Sequence, residues 1–224
     1  INELVLNIKL GGSIVAGPIT RCITLDLWDC TGPTSVTHTE EISFSSGSAS
    51  LTIEVPCGQY ECVTARDTLH TLRRRDESFN IIGTQYVADF TGDPGAGGDW
   101  LIGGNLNDDY WIDILDFGRL SANWNISYGT GNTTCSTPPT HADINGDGLV
   151  NSADFSFIQI NFLKGNEWNC CGQPLMPIPA PVLDVTIPEL RERGMGELAA
   201  GDLNGDGRLN QEDMVAFMQG ARPA

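Results

Sequence analysis

The feature that most restricts how this chain can fold is a twelve-residue spacing of oxygen-bearing side chains that occurs three times. It runs from Asp143 to Asp154 as DINGDGLVNSAD and from Asp202 to Asp213 as DLNGDGRLNQED, and in a looser form from Asn105 to Asp116 as NLNDDYWIDILD. Polar oxygens stand at positions 1, 3, 5, 9 and 12 of each stretch, and Gly148 and Gly207 hold position 6 in two of them. Glycine there permits the positive φ that a sharp turn needs. A stretch so regular in its polar positions makes a tight loop, and the amphipathic segment after each one reads as a helix.

Those oxygens suit a hard cation. Calcium takes six to eight oxygen ligands at about 2.3–2.6 Å, and an EF-hand type loop supplies them from positions 1, 3, 5, 7, 9 and 12, using the main-chain carbonyl at 7. The middle loop offers Asp143, Asn145, Asp147, the Leu149 carbonyl, Asn151 (directly or through water) and Asp154. The last offers Asp202, Asn204, Asp206, the Arg208 carbonyl, Asn210 and Asp213, and the first Asn105, Asn107, Asp109, the Trp111 carbonyl, Asp113 and Asp116. With Tyr110 where glycine is expected and a neutral Asn105 at position 1, the first loop is expected to be the most strained. Two to three calcium ions are predicted. The competing reading is a set of Asx turns that cap three helices without metal.

Charge and cysteine usage agree with this chemistry. Twenty-nine acidic against 12 basic residues give a formal net charge of −17, a field that repels nucleic acid and attracts cations. Each loop crowds three carboxylates together, so binding energy becomes folding energy, and three calcium ions would move the formal charge from −17 to −11. Seven cysteines without zinc spacing point to disulfides and an oxidising compartment, extracellular or cell-surface. The expected bridges are Cys22–Cys62 and Cys30–Cys57, with Cys135 closing onto Cys170 or Cys171 and one thiol left over. The start near Ile1, directly on a strand pattern, fits a processed secreted chain, and no apolar run is long enough to span a membrane.

Residues 1–100 read as an antiparallel β-sandwich, with alternation at Leu4–Leu10, Ile19–Trp28, Glu41–Ser46, Ser50–Val55, Tyr60–Thr64 and Ile81–Phe90. Residues 101–172 hold the first two loops and their helices, 173–187 form a proline-rich, stiff linker, and 188–224 carry the third loop after a helix over Pro188–Ala199. The fold class is thus a mainly β N-terminal sandwich followed by α-helical calcium modules.

The loops resemble dockerin repeats, which end in aspartate, as at Asp116, Asp154 and Asp213, and continue into one helix, here starting with Phe117 and Phe155. The stretch from Leu51 to Trp124, with VPCGQY, HTLRRR and LIGGNLNDD, is also similar to β-domains that precede such repeats in large extracellular bacterial proteins, notably of planctomycetes. The resemblance implies anchoring to a cohesin domain. The Ser-Thr pair that many dockerins place at positions 10 and 11 for that contact is replaced by Ile114-Leu115, Ser152-Ala153 and Gln211-Glu212.

The expected function is a non-enzymatic, calcium-rigidified assembly protein. Its partner is either identical subunits in a head-to-tail filament or a cohesin-like domain, with polysaccharide binding through Trp28, Tyr60, Tyr86 and Trp100 as a further alternative. The third loop is expected to pack on Leu190 and Leu198 of its own preceding helix, or on a neighbouring copy. Arg73-Arg74-Arg75 reads as a solvated strand end, and none of the three histidines lies in a hydrolase motif. Asn125-Ile126-Ser127 and Asn132-Thr133-Thr134 match the glycan acceptor pattern.

Overall fold

A computed structural model describes residues 1–32, 34–167, 170–172 and 177–223. Alternation in the first ninety residues produces β1 (Asn2–Lys9), β2 (Pro18–Asp29), β3 (Thr34–Ser45), β4 (Ser48–Val55), β5 (Cys62–Arg66), β6 (Arg74–Arg75), β7 (Asn80–Ile82) and β8 (Gln85–Phe90). They form one curled sheet in the order β6-β5-β2-β3-β4-β1-β8-β7. Hydrogen bonding is continuous, but β3 and β4 meet in a single pair, Ser45 with Ser48, where the sheet bends over itself. Leu4, Leu6 and Ile8 of β1 thereby share a core with Ile23, Leu25 and Leu27 of β2. The pairing is antiparallel except for β1 with β8, which is parallel. The predicted strand Ile81–Phe90 is instead the hairpin β7–β8, broken by Gly83 at φ 65°. β3 starts earlier than its apolar pattern suggests, because its first half is exposed and polar.

The remainder carries α1 (Ile114–Ala122), α2 (Ser152–Asn161), β9 (Asp184–Thr186), α3 (Ile187–Glu192), β10 (Arg208–Asn210) and α4 (Gln211–Met218). The helix predicted over Pro188–Ala199 stops at Glu192, and a 3-10 turn follows over Gly196–Gly201. Residues 173–176 of the predicted linker lie outside the described residues; 177–183 carry no regular element, and Asp184–Thr186 pairs with β10. One core joins α1, α2 and the C-terminal unit. Phe217 packs on both Phe117 and Phe155, with ring centroids 6.0 and 4.5 Å apart. The third loop therefore packs with Leu190 and Leu198 of its own unit and also with the first two helices of the same chain.

The disulfides differ from the expected pairing. Cys22–Cys135, Cys30–Cys171 and Cys62–Cys170 all cross from the sheet to the helical half, and Cys57 is free and exposed. The register explains why Cys22 cannot reach Cys62. Cys62 pairs with Trp28, and at about 3.3 Å per residue the six-residue offset along β2 is roughly 20 Å, beyond any disulfide span. The first two arginines of the run are not solvated, and Arg75 is half-buried. Arg73 is buried against Asp26 and Thr64, and Arg74 reaches Asp99 and Glu167. Tyr60 and Tyr86 are buried with rings 5.5 Å apart, so they do not form an outward sugar-stacking face.

Candidate metal centres

Each twelve-residue stretch starts its own helix. The position-9 side chain (Asp113, Asn151 or Asn210) is the N-cap, accepting from the amide two residues on at 2.7–2.9 Å. The position-12 carboxylate (Asp116, Asp154 or Asp213) returns one oxygen to the N–H of position 9 at 2.8–2.9 Å, completing a capping box. Its other oxygen accepts from position 2, Leu106, Ile144 or Leu203, at 2.7–2.8 Å. One side chain thus ties both ends of the loop together.

Inside the loops the same repetition holds. Asp109, Asp147 and Asp206 at position 5 accept from the N–H of position 7 (Trp111, Leu149, Arg208), at 2.8–2.9 Å. Asn107, Asn145 and Asn204 at position 3 accept from the N–H of position 5 at 2.8–3.1 Å. Asp143 and Asp202 at position 1 accept from the N–H groups of positions 4 and 6, the glycines 146 and 148 and the glycines 205 and 207. All eighteen predicted residues therefore fall in three loops of one design. The Asx turns of the competing, metal-free reading are present, and capping boxes accompany them; the same side chains are the ones that the spacing offers to a cation.

The first two loops are related by an approximate twofold. Ile112 at position 8 exchanges main-chain bonds with Leu163 and Lys164 after α2, at 2.8 and 2.9 Å. Val150 at position 8 exchanges them with Asn125 and Ile126 after α1, both at 3.0 Å. Asn125 and Leu163 take matching left-handed conformations, φ 59° and 66°. In the third unit Leu209 at position 8 pairs instead with Val185 of β9.

Loop 105–116 departs from the others where its sequence does. Of the three loops this one alone has a non-glycine residue in the left-handed region, as its expected strain requires, but the residue is Asp108 at position 4 (φ 55°), where the others have Gly146 and Gly205, and not Tyr110. Aspartate tolerates that conformation, and Asp108 sits 3.3 Å from Arg66 of β5. Asn166 donates to the Asp109 carbonyl at 2.7 Å and its N–H to the Tyr110 carbonyl at 2.9 Å. Asn105 donates to the same Asp109 carbonyl, while its buried Oδ1 has no partner.

A cation fits this donor set. The orphaned Asn105 oxygen gains a partner from a metal ion. Burial pushes Asp154 up to about 6, with Asp143 adding repulsion, and Asp113 up to about 6, with Asp109 doing the same. Burial also raises Asp116, with Asp109 and Asp113 reinforcing it, and raises Asp213. A divalent ion would reverse that penalty on charge. Among the described residues no three or more His, Cys, Asp and Glu side chains, those of the loops included, are gathered as a group that could hold a metal ion. The loops mix carboxylate with amide and carbonyl oxygen, the hard-donor set that calcium uses.

Sequence reasoning missed the braces behind the loops. Arg21 of β2 is buried and donates to the Asp143 carbonyl at 2.9 Å and the Ile144 carbonyl at 3.3 Å. It also lies 3.0 Å from His70, which bonds Asp67 at 2.7 Å and His141 at 2.9 Å. Burial alone would raise Asp67, but His70 and Arg21 facing it hold it below the usual carboxylate range. Burial and the Arg21 charge push His70 down. The signal was present, since Arg21 occupies an inward position of the alternation Ile19, Arg21, Ile23.

Residues 104–163, which contain both loops of the twofold pair, match the dockerin type I domain family. Dockerin domains bind calcium, so the match supports calcium as the ion. The third loop lies outside the matched residues. No curated protein and no solved structure was found to be similar.

Proposed function

We propose that this chain is a calcium-dependent anchor, in which the paired loops of residues 104–163 hold a cohesin-like domain of another protein. The observation that carries this reading is the twofold exchange of main-chain bonds between the two loop–helix units, within the segment similar to dockerin type I domains. All eighteen loop residues named above are the proposed ligands, for two to three calcium ions. The partner differs from a standard cohesin in its contacts, since Ile114 and Leu115 at positions 10 and 11 are core residues. Three disulfides support a site of action outside the cytoplasm, at a cell surface or beyond it. Among the described residues no helix is long and apolar enough to cross a membrane.

We read the chain as non-enzymatic. His70 and His141, the histidines nearest the loops, are buried and bonded to each other and to Asp67, which suits a structural clasp. The filament reading ranks second. The apolar side of the third loop, on which head-to-tail contact would rest, packs within the chain, while exposed Cys57 remains available to link copies.

Calorimetry with calcium and capture on an immobilised cohesin domain, in calcium and in EDTA, test the proposal. Two to three ions bound and capture abolished by EDTA are expected. Absence of calcium uptake would overturn it, and calcium-dependent polymers without capture would favour the filament.

A further inference from the structure

The third unit sits on α1 with unusually close backbones. A Cβ on Gly118 of α1 would lie 2.9 Å from Leu209 and 3.0 Å from Leu198. A Cβ on Gly201 would lie 2.7 Å from Leu209 and 3.3 Å from the Gly118 Cα. Glycine therefore faces glycine, and the buried Leu209 plugs the notch beside them. Leu209 is position 8 of loop 202–213, so whatever orders that loop also seats the plug.

A strap leads to this unit along loop 105–116. Trp111 Nε1 donates to the Pro179 carbonyl at 2.6 Å and Ile114 N–H to the Val182 carbonyl at 3.3 Å. Asp113 accepts from Leu115 N–H with one oxygen and from Val182 N–H, at 2.7 Å, with the other. An asparagine, present at this position in the other two loops, has one acceptor oxygen in place of the two that these bonds use. That double duty accounts for aspartate at position 9 here.

The three loops are braced unequally. Loop 143–154 rests on Arg21 and on Val15 N–H, which donates to the Asn145 carbonyl at 3.0 Å; loop 105–116 rests on Arg66 and Asn166. In the third loop Asn204–Arg208 is exposed, and its Asp184–Arg208 ion pair is exposed too. Exposed pairs contribute little, so this loop is the least preorganised and yields its ion first as calcium falls.

We propose that the C-terminal unit is a calcium-gated cover on α1: loaded, it seals the Gly118 notch with Leu209, and unloaded, it lifts and exposes that notch. This rests on the calcium reading of the third loop.

Ser121→Cys, made with Cys57→Ser, reports the cover. Ser121 is buried, its Oγ has no hydrogen-bond partner, and it lies 3.6 Å from a Cβ built on Gly201. Thiol labelling in calcium should be about a hundredfold slower than in EDTA, as expected when access needs local opening. Adding Asp206→Ala should raise the rate in calcium to the EDTA value while calorimetry still records uptake at the other two loops. Equal rates in calcium and EDTA, or slow labelling after the third ion is lost, would overturn the proposal. Should the reporter variant not fold, hydrogen exchange over residues 196–210 of the unmodified chain makes the same comparison with the same two outcomes. No calcium uptake by the parent chain would instead defeat the calcium reading beneath it.

Discussion

Replacing Arg21 with methionine tests whether the sheet and the second loop are energetically one structure. The guanidinium is buried, donates to two loop carbonyls and faces the ionised Asp67. Methionine preserves most of the stem but leaves both carbonyls without that donor and Asp67 with less compensation. Each bond from a charged donor contributes about 1.5–3 kcal/mol, and loss of the charge that Asp67 meets across His70 adds to that. These overlap, because one group serves both, so about 5 kcal/mol is the reasonable total. For a chain of this size each kcal/mol moves Tm by about 2–4 °C, which predicts a fall of roughly 10–20 °C. Scanning calorimetry with intact disulfides measures it. Arg21→Lys retains the charge but lacks the planar fork, and should recover about half the loss. Calcium affinity at loop 143–154 should fall about tenfold in the methionine variant, because its first two carbonyls lose their fixed orientation. A Tm change below about 3 °C, with calcium binding intact, would show that the guanidinium contacts carry no net energy and that the coupling argument is wrong.

Three further outcomes follow from the loops and bridges. Asp154→Ala removes the acceptor for Ile144, Asn145 and Asn151 N–H groups, so it should cost about 3 kcal/mol even in EDTA; urea melts in EDTA and calcium should show that deficit and a reduced calcium increment. Asn105→Asp supplies a charge at position 1 of the first loop, and should enlarge the rise in Tm between EDTA and calcium; an unchanged or smaller rise would mean that this loop holds no ion. Replacing both Cys22 and Cys135 with serine opens a bridge spanning 113 residues in sequence, which should lower stability by about 5 kcal/mol on the chain-entropy account; denaturant melts of the oxidised proteins measure it.

How much of this was legible in the sequence depends on the range of the interaction. The loops were legible residue by residue, because capping boxes and Asx turns are local: Asn151 and Asp154 meet within one turn of chain. The strands of the sheet half were largely legible too, since their period of two survives wherever one face is buried. The disulfides were not. Pairing Cys22 with Cys135 requires knowing that the helical half folds back over β2, and nothing local encodes that. The parallel β1–β8 contact was hidden for the same reason. Arg21 could have been flagged by its inward register, but its partners are main-chain carbonyls, which leave no trace in a sequence. The strain expected of the first loop falls on Asp108, because position 4, a left-handed glycine in the other two loops (Gly146 and Gly205), is aspartate here.

The sheet half and the calcium loops make better sense together than apart. A loop of twelve residues with three carboxylates pays in both chain entropy and charge repulsion before an ion arrives. Capping boxes recover part of the entropy locally, but they are available to any such loop, including the third. The first two loops have more: Arg21 and Asn166 grip their carbonyls, Arg66 meets Asp108, and the Cys22–Cys135 bridge anchors the connector between them. If the loops take calcium as proposed, each contact orders main chain that the ion would otherwise have to order, so the sheet would raise affinity without contributing a ligand. The consequence is a gradient within one molecule. On the proposed calcium reading, the paired loops would stay loaded when calcium is scarce and the exposed third loop would respond.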